Sequence, residues 1–359
     1  MLKALVLCAG KGTRLRPFTY TIAKQLIPVA NKPVLFYTLE NVKKLGIEEV
    51  GIVVNSQNKE IFEATLKDGS RFGLRIEYII QKEPKGLAHA VWIAKDFLRE
   101  ENFLMYLGDN LILEDLKPFV KEFLENENLQ ASILLSPVED PTRFGVAVMK
   151  DGKVVEVVEK PKFPPSNLAI VGVYLFRSTI FEGIRNIKPS WRGELEITDA
   201  IGYLIKNGYE VKGHVIFGWW KDTGKPDDLI DANRKILQDL RVSRLEGDVD
   251  DSSKIQGEVI IEKGTKIIDS IVRGPVIIGK RSFIKNSYIG PYTSIGEDVI
   301  IENCEIENSI IMDKCSLSDV KYRLDSSILG KNVSIRGMKS KPSSMSLILG
   351  DLSSVKLPE

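Results

Sequence analysis

Histidine and cysteine are scarce in this sequence of 359 residues. It contains only two histidines, His89 and His214, and three cysteines, at positions 8, 304 and 315. No two cysteines have the spacing of a zinc or redox motif, and no histidine lies close enough in sequence to complete a metal-binding set. These counts argue against a disulfide framework and leave no convincing Ser-His or Cys-His set for nucleophilic catalysis.

Charge of one sign and long apolar runs are also lacking. The 50 basic and 49 acidic residues leave a net charge of +1, so no general attraction to nucleic acid or to an anionic membrane is expected. No stretch approaches the roughly 18 apolar residues that a membrane-spanning helix requires. The N-terminus does not have the layout of a signal peptide. We therefore expect a cytoplasmic protein that binds neither nucleic acid nor membrane.

The pattern of the sequence changes near residue 240. Over residues 1–240, short apolar strands alternate with helical stretches, among them a helix predicted over Leu87–Leu98. This alternation predicts βαβ units and an α/β fold with a Rossmann-like, mostly parallel mixed sheet flanked by helices. Three closely spaced strands within residues 131–159 are predicted to add antiparallel pairs to that sheet.

A repeated pattern begins after residue 241. Branched apolar residues recur about every six positions, often before glycine, as at Ile278-Gly279, Ile289-Gly290 and Ile295-Gly296. This period is typical of a solenoid with three flat sides per coil, whose neighbouring coils bury each other's apolar faces. The alternative is an ordinary antiparallel β domain. We predict a left-handed, hexapeptide-type parallel β-helix over residues 241–359, with residues 339–359 capping its end.

The segment that follows the first strand is rich in glycine and basic residues. Its sequence is Cys8-Ala9-Gly10-Lys11-Gly12-Thr13-Arg14-Leu15-Arg16-Pro17-Phe18-Thr19. Gly10 and Gly12 let the backbone approach a ligand closely, and exposed N–H groups in such a loop bind phosphate oxygens. Arg14 can neutralise charge that develops on a phosphate. The segment is neither a Walker A loop nor a dinucleotide-binding GxGxxG motif.

Two aspartates follow apolar stretches at distant points of the sequence. Asp109 lies in Leu107-Gly108-Asp109-Asn110, and Asp222 lies in Trp219-Trp220-Lys221-Asp222-Thr223-Gly224. Side chains at the carboxyl ends of strands in open α/β sheets face the ligand crevice. Mg²⁺ is usually held by one or two carboxylates plus substrate phosphates and water. The two aspartates together could supply such a site, whereas either one alone is more often a turn former or a helix cap.

These motifs resemble those of the sugar nucleotidyltransferase (nucleoside diphosphate sugar pyrophosphorylase) family. The glycine-rich segment is similar to the family signature G-x-G-T-R-L-x-P-x-T, and Ala23-Lys24-Gln25-Leu26-Ile27-Pro28-Val29 resembles its second motif. The resemblance implies that the nucleotide is bound by Ala9, Gly10, Gly12, Thr13, Arg14, Gln25, Gln81, Gly86 and Asp109. It implies that the sugar phosphate is bound by Asn110, Gly145, Glu159, Lys160 and Ile170. It also implies that Asp109 and Asp222 bind Mg²⁺, and that Arg14, Lys24 and Lys160 are catalytic.

Two further segments have less defined roles. Residues 192–199 resemble a family segment near the sugar, and they are interpreted as a helix start whose role could be only structural. His89 stands where many relatives carry glutamine, and we interpret it as a helix residue without a catalytic role. Residues 1–240 are thus predicted to form the nucleotidyltransferase catalytic domain, ahead of the β-helix domain at 241–359.

The resemblance implies a single displacement in which a sugar 1-phosphate attacks the α-phosphorus of a nucleoside triphosphate and pyrophosphate leaves. The sequence around Gln25 and over residues 219–234 resembles that of long thymidylyltransferases with a β-solenoid tail. This favours dTTP and α-D-glucose 1-phosphate as substrates, with dTDP-glucose as product. UTP or another triphosphate, another sugar 1-phosphate, and a non-catalytic regulatory subunit on the same fold are the alternatives. Acetyl transfer by the solenoid is disfavoured because no histidine follows residue 241, and the flat coils predict a homo-oligomer.

Overall fold

The structure is a computed structural model that describes residues 2–337, 347 and 349–356. The predicted cap at residues 339–359 lies largely outside the described residues. The chain forms two compact units. We name Met1–Lys11 with Val34–Asp222 the sheet unit, and Gly12–Pro33 with Thr223–Glu359 the solenoid unit. The domain boundary predicted between residues 240 and 241 stays a prediction.

A nine-stranded mixed sheet forms the centre of the sheet unit. The first thirteen strands of the chain are β1 (Leu2–Leu7), β2 (Pro28–Val29), β3 (Lys32–Pro33), β4 (Glu49–Asn55), β5 (Arg75–Gln81), β6 (Asn102–Leu107), β7 (Asn110–Ile112), β8 (Leu129–Pro137), β9 (Gly145–Lys150), β10 (Lys153–Glu159), β11 (Leu168–Phe176), β12 (Glu210–Val215) and β13 (Trp220–Asp222). The strand order in the sheet is β5-β4-β1-β6-β11-β8-β12-β10-β9. The first four of these are parallel, and the β6–β11, β11–β8 and β10–β9 pairs are antiparallel. The prediction of a mixed α/β sheet is confirmed.

Helices cover this sheet and bury its apolar side chains. They are α1 (Val34–Lys44), α2 (Lys59–Leu66), α3 (Leu87–Ile93), α4 (Lys95–Leu98), α5 (Lys117–Glu125), α6 (Ile180–Asn186) and α7 (Ile197–Lys206). A further helix, α8 (Pro226–Gln238), belongs to the solenoid unit. The helix predicted over Leu87–Leu98 is interrupted at Ala94, whose N–H donates to Val91 O three residues back and so tightens the last turn of α3. Among the described residues, no helix combines the length and apolar character needed to cross a membrane.

The second half of the chain forms stacked parallel sheets. Its strands are β14 (Arg244–Leu245), β15 (Asp248–Val249), β16 (Lys254–Gln256), β17 (Val259–Ile261), β18 (Lys266–Ile268), β19 (Ile271–Arg273), β20 (Val276–Ile278), β21 (Phe283–Lys285), β22 (Tyr288–Ile289), β23 (Thr293–Ile295), β24 (Ile300–Glu302), β25 (Glu305–Ile306), β26 (Ile310–Ile311), β27 (Ser316–Ser318), β28 (Ile328–Leu329) and β29 (Ser334–Arg336). They form three parallel sheets of six, six and four strands. From the β14–β17 pair to the β24–β27 pair, each strand pairs with the strand three positions later in the chain.

The repeated isoleucines are the core of these coils. Ile261, Ile278 and Ile295 pair in register along one sheet, and all three side chains are fully buried. Equivalent side chains in successive coils are typically separated by 17 residues, as in the Ser253–Ser270 and Ser270–Ser287 hydrogen bonds. Three sides of nearly six residues each account for that spacing. The predicted β-helix is confirmed, and the antiparallel alternative is wrong because the strands pair in parallel.

Candidate active site

The carboxyl ends of four parallel strands converge at one edge of the sheet unit. Gln81 ends β5 and pairs with Asn55, the last residue of β4. The Asn55 amide Nδ2 donates to Ala9 O at 3.1 Å, which fixes the start of the glycine-rich segment after β1. Sequence reasoning missed Asn55, although its position at the end of an apolar strand could have indicated it. The predicted nucleotide residues Ala9 and Gln81 therefore lie at the edge where α/β sheets bind ligands.

Gly108 brings the segment of Asp109 against Leu7 and Cys8 at the end of β1. The N–H of Gly108 donates to Leu7 O at 3.0 Å. A Cβ atom at Gly108 would lie 2.5 Å from Cys8 Sγ, so no larger residue fits there without a shift. The residue before Asp109 is therefore held against the end of β1, and Asp109 itself is only 7% exposed.

Asp222 lies on a strand that pairs with the residues following Asp109. Strands β13 and β7 are antiparallel, with Asp222 directly opposite Asn110. Directly opposed residues in such a pair have Cα atoms about 4.5–5.5 Å apart. The two aspartates predicted to bind metal are thus brought together from positions more than 100 residues apart in the sequence. Within the described part of the chain, no group of three or more His, Cys, Asp or Glu residues is arranged to hold a metal ion.

Trp220 connects this aspartate pair to the strand that begins at Gly145. Its indole Nε1 donates to Asn110 Oδ1 at 2.6 Å. Its ring meets the ring of Phe144 edge-on, with centroids 5.3 Å apart. Trp220 was not among the predicted site residues, although a tryptophan two residues before a candidate metal ligand could have indicated a place in the site.

Three of the predicted sugar-site residues meet in a tight cluster. Glu159 pairs with Gly145 in the β10–β9 register. A Cβ atom at Gly145 would lie 3.2 Å from both Glu159 Oε2 and Ile170 Cδ1, and 3.0 Å from Thr198 Cγ2. The Thr198 hydroxyl donates to Glu159 Oε2 at 3.2 Å. The absence of a side chain at Gly145 therefore leaves its backbone accessible beside an oriented carboxylate.

Two cations face the same carboxylate of Glu159. Lys160 Nζ lies 3.3 Å from Glu159 Oε1, and Arg192 Nη1 lies 3.6 Å from the same atom. The Arg192 guanidinium also contacts the carboxylates of Glu194 and Glu196. Burial raises the pKa of Glu196 above its ordinary value. Arg192 belongs to the segment 192–199, and its contact with Glu159 places it in the candidate sugar site.

Gln81 and Gly86, two of the predicted nucleotide residues, contact each other, and Gln81 also contacts His89. The Gln81 amide Nε2 donates to Gly86 O at 3.2 Å and lies 3.0 Å from His89 Nδ1. Burial, with a smaller contribution from Lys85, lowers the pKa of His89, which favours the neutral ring that can accept this bond. His89 lies in helix α3 as predicted, and it also orients Gln81.

Gly86 joins the segment that follows Gln81 to the candidate sugar site. Its φ is +100°, and a Cβ atom there would lie 2.4 Å from Leu195 O. Leu195 N donates to Lys85 O at 2.7 Å, and Ala88 N donates to Leu195 O at 3.0 Å. The backbone of the two segments is thus in direct contact, with no space for a side chain.

We expect a Gly86→Ala substitution to destabilise the protein by about 2–4 kcal/mol, because it adds both a clash with backbone and a strained φ. The KM for the nucleotide should rise, because the segment that carries Gln81 must shift. Chemical denaturation and steady-state kinetics measure the two effects. Gly152→Ala is the matched control, since Gly152 has a φ of +77° but nothing within 4 Å of its Cβ position. Equal losses in both variants would contradict the proposed contact.

Of the remaining predicted nucleotide residues, Gly10 belongs to the sheet unit, and the others lie in a loop of the solenoid unit. Gly12 has a φ of +63°, and a Cβ atom there would lie 3.1 Å from Lys24 Cβ. The Thr19 hydroxyl donates to Gly12 O at 2.9 Å. The loop therefore holds the backbone before Thr13 and Arg14 close to Lys24, and the Arg14 side chain is exposed. Gln25 is only 1% exposed, and its Oε1 accepts no hydrogen bond from the described residues.

Comparison with known proteins shows that the chain is similar to nucleotidyltransferases. The nucleotidyl transferase family model matches residues 3–239. A glucose-1-phosphate thymidylyltransferase from Streptomyces griseus is 47% identical over 357 residues, which cover 99% of each chain. The low-salt glycan biosynthesis nucleotidyltransferase Agl11 from Haloferax volcanii is 43% identical and covers 99% of this chain and 100% of its own.

A solved structure supports the same assignment. It is a Bacillus anthracis protein, provisionally described as a glucose-1-phosphate thymidylyltransferase, in complex with a sucrose. It aligns with a TM-score of 0.63 and 34% identity over 68% of this chain and 98% of its own. From the family match and these full-length relatives, the chain belongs to the nucleotidyl transferase family and is a sugar-1-phosphate nucleotidyltransferase.

Proposed function

We propose that this enzyme transfers a thymidylyl group from dTTP to α-D-glucose 1-phosphate in the presence of Mg²⁺, giving dTDP-glucose and pyrophosphate. The observation that carries this proposal is the cluster of Gly145, Glu159, Ile170 and Thr198 in the sheet unit, beside the β13–β7 pair that sets Asp222 opposite the neighbour of Asp109. The partly buried carboxylate of Glu159, flanked by cations, suits a hydroxyl-rich sugar that carries a phosphate. The full-length similarity to a thymidylyltransferase supports the choice of nucleotide.

The residues present fit a Mg²⁺ ion. Asp109 is 93% buried from solvent, and Asp222 lies opposite its neighbour Asn110. Two carboxylates are the usual protein contribution to a magnesium site that also binds substrate phosphates and water. Asp109 and Asp222 would hold the ion, which would supply charge neutralisation for the phosphates of the triphosphate.

The chain's other residues would position the reactants for an in-line displacement. A phosphate oxygen of the sugar 1-phosphate forms a bond to the α-phosphorus of the triphosphate as the bond to pyrophosphate breaks. Such a transfer depends on alignment and on neutralising charge, and it needs no enzyme nucleophile. Lys160 would hold the incoming phosphate, Lys24 would add positive charge, and Arg14 would stabilise the α-phosphate and the leaving pyrophosphate.

Within this proposal, Glu159 accepts hydrogen bonds from sugar hydroxyls. We expect Glu159→Gln to raise the KM for glucose 1-phosphate about 10- to 100-fold, because a hydrogen bond to a charged group is worth roughly 1.5–3 kcal/mol. The KM for dTTP should stay near the native value. The matched control is Glu156→Gln, an exposed residue of the same strand. A Glu159→Gln enzyme with a native KM for the sugar phosphate would remove Glu159 from the sugar site.

A panel of substrates tests the proposed function directly. Pyrophosphate release is measured with dTTP, UTP, GTP, CTP and ATP against several sugar 1-phosphates. The proposal predicts the highest kcat/KM for dTTP with glucose 1-phosphate. A higher value for UTP or another pair would replace the substrates, and no release with any pair would favour a regulatory role. Homo-oligomerisation remains a prediction, which light scattering of the purified protein would test.

A further inference from the structure

A hairpin directly after the Lys24–Gln25 segment contacts the β-helix within the solenoid unit. Strands β2 and β3 pair in antiparallel fashion, and the turn between them consists of Ala30 and Asn31. Both residues have positive φ, at +48° and +59°. A non-glycine residue in this conformation costs roughly 1–2 kcal/mol, so other contacts must hold the turn.

Those contacts converge on Asn233 of helix α8. Its side-chain Oδ1 accepts from Ala30 N at 2.8 Å and from Ser294 Oγ at 2.9 Å. Its Nδ2 donates to Tyr292 O at 2.9 Å. Asn233 is only 1% exposed, and it therefore joins the hairpin turn, helix α8 and one coil of the β-helix through a buried amide.

Two other contacts attach the same loop to the coils. Asn31 Nδ2 donates to Ile295 O at 2.6 Å, in the same coil that Asn233 reaches. Earlier in the loop, a Cβ atom at Gly330 would lie 3.6 Å from Phe18 Cδ1, so the Phe18 ring packs against a later coil. The segment from residue 12 to residue 33 thus contacts the β-helix at two points, Phe18 and the turn of Ala30 and Asn31.

We infer that Asn233 is a positioning residue for nucleotide transfer, and that it acts by fixing the loop of Lys24 and Gln25 against the β-helix. The inference rests on the proposed function, since it assigns that loop to the nucleotide. Only four residues separate Gln25 from Ala30, so a displacement of the turn is transmitted to Gln25 along a short stretch of chain. The β-helix, which carries no catalytic group in the proposed mechanism, contributes to catalysis by this route.

The kinetic test uses Asn233→Ala in the full chain. Its removal leaves buried partners unsatisfied, and we expect the KM for dTTP to rise about tenfold or more, with a smaller fall in kcat. The KM for glucose 1-phosphate should stay near native, because Gly145, Glu159 and Ile170 belong to the sheet unit. A merely structural role would lower the active fraction and leave both KM values unchanged. An unchanged KM for dTTP would overturn the inference.

A second variant covers the case in which Asn233→Ala does not fold. Asn31→Gly removes the bond to Ile295 O while keeping a residue suited to positive φ, and we expect the same change of smaller size. Asn286→Gly is the matched control. Asn286 also has a positive φ, and its side chain donates to Asn303 Oδ1 at 2.7 Å, away from the hairpin. An equal effect of Asn31→Gly and Asn286→Gly would contradict the inference.

Hydrogen exchange separates this inference from the proposed function. In Asn233→Ala, peptides that cover residues 24–33 should exchange about tenfold faster, and peptides of β4 and β6 should not change. This result does not depend on which triphosphate is used. If the native enzyme prefers another triphosphate, that one replaces dTTP in the kinetic test. Unchanged exchange at residues 24–33 would overturn the inference even if the thymidylyl proposal held.

Discussion

An Asp222→Asn variant is expected to lose about 100- to 1,000-fold in kcat, because a metal ion supplies several kcal/mol of charge stabilisation in such transfers. The change is isosteric and leaves the β13–β7 pairing possible, so we expect thermal unfolding near the native temperature. Half-maximal activity should also require a higher Mg²⁺ concentration. The measurements are initial rates over a Mg²⁺ titration, together with a thermal denaturation curve. Asp109→Asn should behave in the same way.

The control for Asp222→Asn is the same substitution in a turn of the sheet unit. Asp151 is exposed and has a φ of +50°, a conformation that asparagine adopts readily. Asp151→Asn should keep native kinetics. Near-native turnover in Asp222→Asn would remove this residue from the metal site, and an unfolded variant would show that its role is structural.

Arg14→Gln is expected to lower kcat by about 1,000-fold, the order of effect found when an arginine stabilises the charge of a transferred phosphoryl group. The side chain is exposed, so its removal should not change the free energy of unfolding by more than a few tenths of a kcal/mol. Arg14→Lys keeps the charge but not the planar fork, and it should recover only part of the activity. Steady-state kinetics with both substrates at saturation measure these values.

The control for Arg14 is an arginine that loses its charge elsewhere on the surface. The Arg241 side chain is 78% exposed, and its contact with Asp239 is long, at 3.9 Å. Arg241→Gln should therefore turn over like the native enzyme. If Arg14→Gln were no slower than Arg241→Gln, the glycine-rich segment would have to bind the phosphates through its backbone alone.

Local sequence patterns could predict two kinds of feature: repeated structural elements, and polar residues that follow an apolar stretch. The alternation of strands and helices predicted the mixed sheet, and the isoleucine spacing predicted the coils, because both patterns state which side chains are buried. Asp109 and Asp222 could be selected because each follows an apolar strand. That Asp222 lies opposite Asn110, the neighbour of Asp109, is seen only in the β13–β7 register, which no local pattern contains.

The contacts that sequence reasoning missed join residues that are distant along the chain. Asn233 bonds to Ala30 across 203 residues, and Trp220 bonds to Asn110 across 110. An asparagine in a helix or a tryptophan in a strand is compatible with many surroundings, so composition does not select the partner. Gln81 and His89 are only eight residues apart, yet their contact depends on how the chain turns at Gly86.

The path of the chain through the two units has an evolutionary consequence. The backbone leaves the sheet unit after Lys11, returns at Val34 and leaves it again after Asp222. A genetic exchange near residue 240 would therefore combine a hairpin from one ancestor with coils from another. The two parts can be inherited separately only if the hydrogen-bonding positions of Ala30, Asn31 and Tyr292 are reproduced together. The β-helix of such an enzyme is not an appendage that recombination can replace freely, and the coil that contains β23 should diverge in step with the hairpin of Ala30 and Asn31.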